Sequence, residues 1–354
     1  MASPDYHAAI DLLKELIKTP SFSKEEAQTA EILNKFFLER KIPLIRSQNN
    51  ILVKNKFFDE SKPTVLLNSH HDTVKPNSGY TKDPFTPLIE DGKIYGLGSN
   101  DAGGCLVALI ATFLHYYDQE CSYNLILAAT AEEEISGKNG VESILNLLPK
   151  IDLAIVGEPT QMEAAVAEKG LLVVDATVKG KAGHAAREEG LNAIYEALDD
   201  LLFIQNYQFE RESKYLGKTK ITATLIQAGT QHNVIPDTCN YTLDLRVTDA
   251  YSLEEALEEI TPKLKATLVP RSLRLNSSKI PNNHRILKVL NELNISQYGS
   301  PTLSDQALMP FPSLKMGPGD SARSHTADEF IYLSEIESGF ISYIKLLHQY
   351  FQTA

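Results

Sequence analysis

Continuous apolar runs that end in histidine or acidic residues dominate the first half of the chain. Residues 64–70, 123–130 and 151–156 are runs of strand-forming residues, as expected for strands buried on both faces of a sheet. Residues 102–117 lie between two of these runs and carry apolar side chains at helical spacing. This alternation predicts an α/β domain.

The flanking segments continue the pattern. Residues 75–91 are rich in proline, glycine, asparagine and aspartate, which predicts a long loop of the kind that often carries function. Ser23 is a candidate N-cap, with Glu26 three residues later. Spacing predicts further helices at 4–19, 24–40, 140–148, 285–293 and 333–351, and short strands at 43–46, 51–55 and the start of 93–101.

The pattern changes after Gly170. Strands are predicted at 171–178, 221–228, 239–247 and 272–276, and helices at 190–206 and 253–266. The resulting order, β-α-β-β-α-β, predicts a compact two-layer α+β sandwich. This segment of roughly 110 residues interrupts the first domain as an insertion.

Composition narrows the classes of function. The chain has 354 residues, enough for about two domains, and a net charge of -12, which argues against nucleic acid or an anionic membrane as partner. No apolar stretch reaches the ~18 residues of a membrane-spanning helix, and the N-terminus shows no secretory signal. Cys105, Cys121 and Cys239 form no CxxC motif, so we expect reduced structural thiols in a cytoplasmic protein.

The first candidate chemistry lies at the end of the 64–70 strand. Side chains alternate along a strand, so His70 and Asp72 point to one side and His71 points to the other. A histidine and a carboxylate placed together in this way could be a metal ligand and its supporting acid.

Three further strand ends carry acids. Asp101 follows a glycine turn, Glu133 and Glu134 follow the 123–130 strand, and Glu158 follows the 151–156 strand. Ligands of open α/β sheets lie outside the carboxyl ends of the strands, so these groups are expected to converge. Such a cluster would be unfavourable without a cation. Separate surface acids would explain each group alone, but not their shared position at strand ends.

Together these motifs resemble the M20 metallopeptidase and deacylase family, in particular its acetylornithine deacetylase and succinyl-diaminopimelate desuccinylase branch. The resemblance spans the whole chain in the right order, and Glu158 stands where some aminopeptidases carry aspartate. It implies a mixed-sheet zinc-hydrolase domain of residues 1–166 and 281–354, with an inserted ferredoxin-like lid of residues 167–280. The matching motifs are His70-x-Asp72, Gly96-Leu-Gly-Ser-Asn-Asp101, Glu132-Glu133-Glu134, Gly157-Glu158-Pro159-Thr160 and His325-Thr-Ala-Asp-Glu329.

The resemblance also implies a site with two divalent metal ions, zinc first, with cobalt or manganese as alternatives. His70 and Glu158 would bind one ion, His325 and Glu134 would bind the other, and Asp101 would bridge them. Asp72 would orient His70, and Glu133 would be the general base for a shared water. A cis peptide bond between Asp101 and Ala102 is implied as well.

Further expectations concern the lid and the substrate. The resemblance implies that His184 stabilises the developing oxyanion, although it could also be an ordinary loop histidine. Arg246 would bind the substrate carboxylate, with a structural ion pair to Asp244 or Asp249 as the alternative. Asn233 would contact the substrate. Gly317 and Gly319 would let the backbone approach the substrate carboxylate.

These expectations favour a hydrolase that removes an N-acyl group from an amino acid such as N-acetylornithine, in arginine biosynthesis. N-acetylcitrulline, N-acetyl-lysine and N-succinyl amino acids are alternative substrates. A dipeptidase or tripeptidase of the same family is the second hypothesis, and a binding protein without catalytic activity is the third. In many relatives the lid histidine reaches the site of the other subunit, so a homodimer through the lid is a further expectation.

Overall fold

The computed structural model describes residues 4–187 and 189–352. Within this range, a first unit comprises the chain up to Val166, Lys279–Tyr298 and the chain from Ser304. A second unit comprises Ala167–Ser278 and Gly299–Leu303.

The helices are α1 (Pro4–Ile17), α2 (Ala27–Glu39), α3 (Gly104–Tyr117), α4 (Ala193–Asn206), α5 (Leu253–Ile260), α6 (Arg285–Glu292) and α7 (Leu333–Gln352). The strands up to the second unit are β1 (Leu44–Ser47), β2 (Asn50–Lys54), β3 (Thr64–His70), β4 (Leu88–Glu90), β5 (Lys93–Tyr95), β6 (Asn124–Thr130), β7 (Leu153–Val156) and β8 (Ala164–Glu168). The later strands are β9 (Gly170–Lys179), β10 (Gly183–His184), β11 (Glu212–Ser213), β12 (Gly217–Lys218), β13 (Lys220–Ala228), β14 (Val234–Ile235), β15 (Thr238–Val247), β16 (Thr267–Pro270), β17 (Ser278–Lys279), β18 (Gln297–Ser300), β19 (Ser313–Lys315) and β20 (Phe330–Tyr332).

The first unit is built on a mixed sheet with the order β1-β2-β6-β3-β7-β19-β8. Strands β6, β3, β7 and β19 run parallel to one another, whereas β1, β2 and β8 pair antiparallel. Every residue of β3, β6 and β7 is buried, which explains their uninterrupted apolar sequences. Because these strands are parallel, their carboxyl ends open at one edge of the sheet.

Apolar layers cover both faces of this sheet. Helix α3 is apolar around most of its circumference, and it packs against β3, β6, α1 and α7. The opposite face carries a cluster that includes Leu66, Ile126 and Ala154, covered by the 3₁₀ segment Val141–Leu147. The sheet is therefore packed between two apolar layers, which fix the positions of the strands that carry the groups at its carboxyl edge.

The segment between β5 and α3 has an unusual backbone. The peptide bond between Asp101 and Ala102 is cis, as expected from the family resemblance. Gly98 has a φ of 73°, and a Cβ at this position would lie 2.5 Å from the Thr73 side chain. A glycine is thus required to turn the chain before Asp101.

The second unit has one main sheet, in the order β13-β15-β9-β16, with antiparallel pairing throughout. Its principal elements follow the order β9, α4, β13, β15, α5 and β16. Residues of α4 and α5 form a single core with the inward-facing side chains of β9 and β15. The other face of the sheet carries polar and charged side chains such as Asp175, Asp244 and Arg246.

Some predicted boundaries were wrong. The last strand in the main sheet of the second unit is Thr267–Pro270 and not 272–276, because helix α5 ends at Ile260 and the chain turns back earlier. Helix α2 begins at Ala27, since the Glu26 side chain accepts a hydrogen bond from the backbone nitrogen of Lys24 instead of capping with Ser23. Within the described residues, no helix combines the length and the apolar character needed to cross a bilayer.

Candidate metal centre

His70 lies at the carboxyl end of β3 and is 1 % exposed. Its Nδ1 atom lies 3.0 Å from the backbone carbonyl oxygen of Asp72 and 3.4 Å from the Asp72 carboxylate. A carbonyl oxygen only accepts hydrogen bonds, so Nδ1 carries the proton and the Nε2 lone pair is free for a metal ion. The contact predicted from the sequence between His70 and Asp72 is therefore shared between the carbonyl and the carboxylate of Asp72.

His71 points to the other side, as strand alternation predicted. Its Nδ1 atom is 2.9 Å from the hydroxyl of Thr29, and its Nε2 atom is 2.9 Å from the carbonyl oxygen of Asn49. Burial lowers the pKa of His71, so the ring is neutral and fully used in hydrogen bonds. It is a structural residue behind the strand.

Three carboxylates surround the Nε2 atom of His70. Asp101 Oδ1 lies 3.4 Å away, and Glu133 Oε2 and Glu158 Oε1 each lie 3.8 Å away. Ligand atoms around a tetrahedral zinc ion are about 3.3 Å apart when the bonds are about 2.0–2.1 Å. The spacing of His70, Asp101 and Glu158 is close to that value.

His325 occupies the other side of Asp101. Its Nε2 atom lies 3.0 Å from Glu134 Oε2 and 3.6 Å from Asp101 Oδ2. Two groups of possible metal ligands result, His70 with Asp101 and Glu158, and His325 with Asp101 and Glu134. In each group the ligand atoms lie within 4.8 Å of one another. Asp101 belongs to both, with one oxygen towards each histidine, which is the arrangement that a bridging ligand requires.

The donor set fits divalent ions. His70 Nε2 and Glu158 Oε1 are buried polar atoms that have no hydrogen-bond partner in the described parts of the chain. A buried polar atom without a partner is costly, so an arrangement with two such atoms facing each other is expected to hold something between them. Imidazole and carboxylate donors suit zinc, and also cobalt or manganese.

The electrostatics of the cluster lead to the same conclusion. Burial, with the neighbouring Glu158, Asp305 and Glu134 carboxylates, raises the pKa of Glu133 well above its usual value. Burial and the charge of Asp101 likewise raise the pKa of Glu158 to about 8. So many acids in one low-dielectric crevice favour uptake of a proton or a cation.

The pKa values of the two histidines are raised as well, which favours their positively charged forms. Burial disfavours the charged form of His70, but the surrounding acids outweigh this effect and raise its pKa well above the usual value. The hydrogen bond to Glu134 raises the pKa of His325 to about 9. The crevice as a whole therefore stabilises positive charge.

Asp72 connects the histidine to the acidic segment after β6. It is buried, and its carboxylate accepts hydrogen bonds from the backbone nitrogens of Glu133 and Glu134 at 3.1 and 3.3 Å. The hydroxyl of Ser23 donates to the same carboxylate at 2.7 Å. Asp72 thus orients one candidate ligand, His70, and fixes the backbone of the candidate base.

Among the described residues, Glu132 belongs to neither group of possible metal ligands. Its backbone is left-handed, with a φ of 55°, and its carboxylate accepts hydrogen bonds from the side chain and backbone nitrogens of Asn139. A side chain at Gly137 would collide with this carboxylate. Glu132 closes the loop that presents Glu133 and Glu134.

Gly317 and Gly319 make close contacts with protein groups. A Cβ at Gly317 would lie 2.5 Å from the carbonyl oxygen of Glu158. Gly319 has a φ of 91°, and a Cβ there would lie 2.5 Å from the Asn100 side chain. These glycines seat the Glu158 loop and the Asp101 segment, and their expected role towards a substrate stays a prediction.

Arg246 lies on β15 of the second unit. Its guanidinium donates to both carboxylate oxygens of Asp244, from Nε at 2.9 Å and from Nη2 at 3.1 Å. This is the structural ion pair that the sequence left open as the alternative. A substrate carboxylate would have to displace Asp244 or share the guanidinium with it, so the expected role of Arg246 stays a prediction.

His184 and Asn233 lie together in the second unit. His184 pairs with Val234 in the short β10–β14 ladder, and the carbonyl oxygen of Asn233 accepts a hydrogen bond from the backbone nitrogen of Ala185. Both residues are exposed. The fold thus joins two residues that are far apart in sequence and were both expected to contact a substrate.

Sequence reasoning missed three contributors. Ser23 was expected to cap a helix and instead binds Asp72. Asp305 is a buried acid that accepts a hydrogen bond from Thr130 at 2.8 Å, and only its position in the fold brings it near Glu133. Glu329 belongs to a recognised motif but had been given no role, and its carboxylate accepts hydrogen bonds from the segment that carries Asp101.

Comparison with known proteins supports the geometry. A model of peptidase family M20/M25/M40 matches residues 66–349. The chain belongs to this family. As an M20 protein it is a metal-dependent hydrolase, and the family predicted from the sequence is confirmed. It is 27 % identical over 368 residues to the acetylornithine deacetylase of Proteus mirabilis, with 93 % of each chain covered.

Solved structures confirm the α/β fold class. A tripeptidase from Staphylococcus aureus matches with a TM-score of 0.80 and 19 % identity, covering 100 % of both chains. A dinuclear metal-binding peptidase of family M20 from Bacillus subtilis matches with a TM-score of 0.75 and 16 % identity, covering 99 % of both chains. At these identities the likeness is one of fold.

Proposed function

We propose that this M20 protein removes an N-acyl group, acetyl first, from an amino acid of the ornithine type, using two divalent metal ions. The observation that carries the proposal is the position of Asp101, which belongs to both groups of ligands and has one oxygen towards each histidine. The similarity to an acetylornithine deacetylase over 93 % of the chain supports the choice of substrate class.

In this proposal His70, Asp101 and Glu158 hold one ion, and Asp101, Glu134 and His325 hold the other. Zinc fits the mixture of imidazole and carboxylate donors best, and cobalt or manganese could replace it. When bound, such a pair of ions supplies Lewis-acid polarisation of an amide carbonyl and a lowered pKa for an attacking water.

Glu133 would carry out the proton transfers of the hydrolysis. Its Oε2 atom lies 3.8 Å from the Nε2 atom of His70, a member of the first ligand group. The carboxylate would accept the proton of the attacking water and then donate it to the nitrogen of the leaving amine, which is general base and then general acid catalysis by one group. Asp72 holds the Glu133 backbone in place for both transfers.

The separation of the lid residues supports a role for a second copy of the chain in this proposal. Along β15, Arg246 is eight residues from Thr238, or roughly 27 Å at the rise of an extended strand. His184 and Asn233 lie beyond the Thr238 end, next to β14. A single lid would have to bring two groups separated by about this length onto one small substrate. A homodimer in which one copy supplies Arg246 and the other supplies His184 and Asn233 would resolve this separation.

The surface of the second unit favours such a dimer. Tyr195, Leu198 and Leu202 form a stripe along α4 and are 67 %, 46 % and 56 % exposed. Helix α4 packs against β13, which stands at the end of its sheet and exposes Leu225 and Ile226. An edge strand beside an apolar stripe can pair with the same surface of a second copy about a twofold axis.

The test is a side-by-side hydrolysis assay on metal-loaded protein. The substrates are N-acetylornithine, N-acetylcitrulline, N-acetyl-lysine, N-succinyl-diaminopimelate and several dipeptides. Turnover of one N-acyl amino acid far above the others would establish the deacylase and name its substrate. Turnover of the dipeptides alone would replace the proposal with the peptidase alternative.

A further inference from the structure

The carboxylate of Glu329 is enclosed by the backbone of the segment that leads to Asp101. Its Oε1 atom accepts hydrogen bonds from the backbone nitrogens of Asn100 and Asp101, at 2.8 and 2.9 Å. Its Oε2 atom accepts one from the backbone nitrogen of Gly98, at 3.1 Å. Glu329 is 2 % exposed, so these bonds are shielded from water. Three donors on one buried carboxylate form a firm anchor for this segment.

The anchor is important because the Asp101 side chain is the proposed bridging ligand of the two ions. The Asp101 carboxylate is one carbon from the backbone, so its position follows the backbone closely. One of its oxygens lies 3.4 Å from His70 Nε2 and the other lies 3.6 Å from His325 Nε2. A small rotation of the Asp101 backbone would turn one oxygen away from its histidine. The hydrogen bond from the Asp101 nitrogen to Glu329 opposes that rotation.

Glu329 is also tied to the segment that carries His325. The two residues are four positions apart, and the backbone nitrogen of Gly96 donates to the Glu329 carbonyl oxygen at 3.0 Å. Strand β20 begins directly afterwards and pairs with β5, with Phe330 opposite Tyr95. The side chain and the backbone of Glu329 therefore join the bridging acid to the histidine of the more exposed ligand group.

We infer that Glu329 is a positioning residue that holds the Asp101 carboxylate between His70 and His325 and thereby sets the affinity of the centre for its second metal ion. The inference rests on the proposed two-metal function. Glu329 itself makes no contact with the ions in this account. It acts only through the backbone of Asp101 and the segment of His325.

The chain offers a matched control in the adjacent residue. The Asp328 carboxylate accepts hydrogen bonds from the backbone nitrogens of Thr81 and Lys82, both at 2.8 Å. Asp328 therefore also binds backbone nitrogens through its carboxylate, as Glu329 does. The loop that Asp328 binds carries none of the proposed metal ligands. Asp328→Asn removes the charge of that anchor, just as Glu329→Gln removes the charge of the other.

The experiment compares the wild type, Glu329→Gln, Glu329→Asp and Asp328→Asn as full-length proteins. Each is stripped of metal and titrated with Co²⁺ while the visible absorption is recorded, and the titration is repeated with Zn²⁺ by calorimetry. Thermal unfolding of the metal-free proteins is measured in parallel. Glu329→Gln places an amide against three N–H donors, and Glu329→Asp keeps the charge but draws the carboxylate back from them.

We expect the wild type and Asp328→Asn to bind two ions with similar affinities. In Glu329→Gln the affinity for the second ion should fall by about 10–100-fold, the usual effect of losing a group that orients a metal ligand. Glu329→Asp should shift in the same direction, which provides the test if the glutamine variant does not fold. A loss of thermal stability shared by Glu329→Gln and Asp328→Asn, without a difference in second-ion affinity, would overturn the inference.

The outcomes separate this inference from the proposed function. A wild type that binds two ions but hydrolyses no N-acyl amino acid would refute the proposed substrate, and the metal titration would still decide the role of Glu329. A wild type that binds only one ion would overturn the inference. Wild-type affinity for both ions in Glu329→Gln would overturn it while leaving the proposed function intact.

Discussion

The carboxylate of Asp72 accepts a hydrogen bond from the backbone nitrogen of Glu133, at 3.1 Å. The same carboxylate lies 3.4 Å from the imidazole of His70. One acid at the end of β3 thus holds both a candidate metal ligand and the candidate base that follows β6. The two strands are parallel neighbours, so this contact fixes the distance across the carboxyl edge of the sheet.

The first prediction concerns this link. Asp72→Asn keeps the shape of the side chain but removes the charge and turns one acceptor into a donor that faces either the Glu133 or the Glu134 backbone nitrogen. We expect kcat to fall by about 10–100-fold, as when other groups that orient metal ligands are lost. Ser23→Ala removes one donor and leaves the carboxylate, so it should have a smaller effect. Steady-state kinetics within twofold of the wild type for Asp72→Asn would contradict the account.

The second prediction concerns the release of protons when metal ions bind. In metal-free protein at pH 7, His325 with a pKa of about 9 and Glu158 with a pKa of about 8 both hold protons. Metal ions bind the deprotonated forms, so binding must release protons, and affinity should rise with pH until about 9. Calorimetry at pH 7 in buffers of different ionisation enthalpy measures this release. A binding enthalpy that is independent of the buffer would contradict the prediction.

The sequence alone could predict features that depend on local patterns, but not features that depend on contacts between distant segments. The convergence of His70 and Glu158 could be predicted because both follow parallel strands, β3 and β7, that end at one edge of a sheet. Asp101 follows β5, which pairs only antiparallel in a separate sheet, so the reason given for its convergence did not hold. The direction of His71 followed from the two-residue period of a strand. These inferences needed no knowledge of side-chain contacts.

Other features depended on contacts between distant segments. The pairing of Arg246 with Asp244 was only one of several options until the rotamers were known. Asp305 and Glu329 come from the last part of the chain, and nothing in their local sequence reveals that they accept hydrogen bonds from the Thr130 hydroxyl and the Asp101 backbone nitrogen. Gly317 could be recognised as a site of close approach, but its nearest neighbour, the Glu158 carbonyl oxygen, could not.

The third prediction separates the two interpretations of Arg246. Arg271 forms a similar bidentate pair with Asp175 in the same unit, with contacts at 2.8 and 2.9 Å. If Arg246 binds the substrate carboxylate, Arg246→Ala should raise KM for the N-acyl amino acid by at least tenfold, whereas Arg271→Ala should leave KM unchanged. Equal and small effects of the two variants would show that Arg246 is a structural residue.

The fourth prediction tests the dimer. Glu133→Ala and His184→Ala should each be inactive alone. If His184 acts on the site of the other copy, a mixed dimer contains one complete site, so an equal mixture after subunit exchange should recover about a quarter of wild-type activity. The control is a mixture in which exchange is prevented by crosslinking each variant first. No recovery after demonstrated exchange would place His184 in its own subunit's site, and an active His184→Ala protein would place it outside catalysis.

The most direct test of the central claim is to measure metal content and turnover together, in the wild type and in Glu133→Ala. Stripped protein receives zinc in steps, and bound metal and hydrolysis of N-acetylornithine are measured at each step. We predict that wild-type activity appears with bound zinc and reaches its plateau at about two ions per chain, while Glu133→Ala binds the same amount and stays inactive. Hydrolysis by metal-free wild type, or near-wild-type turnover by Glu133→Ala, would contradict the account.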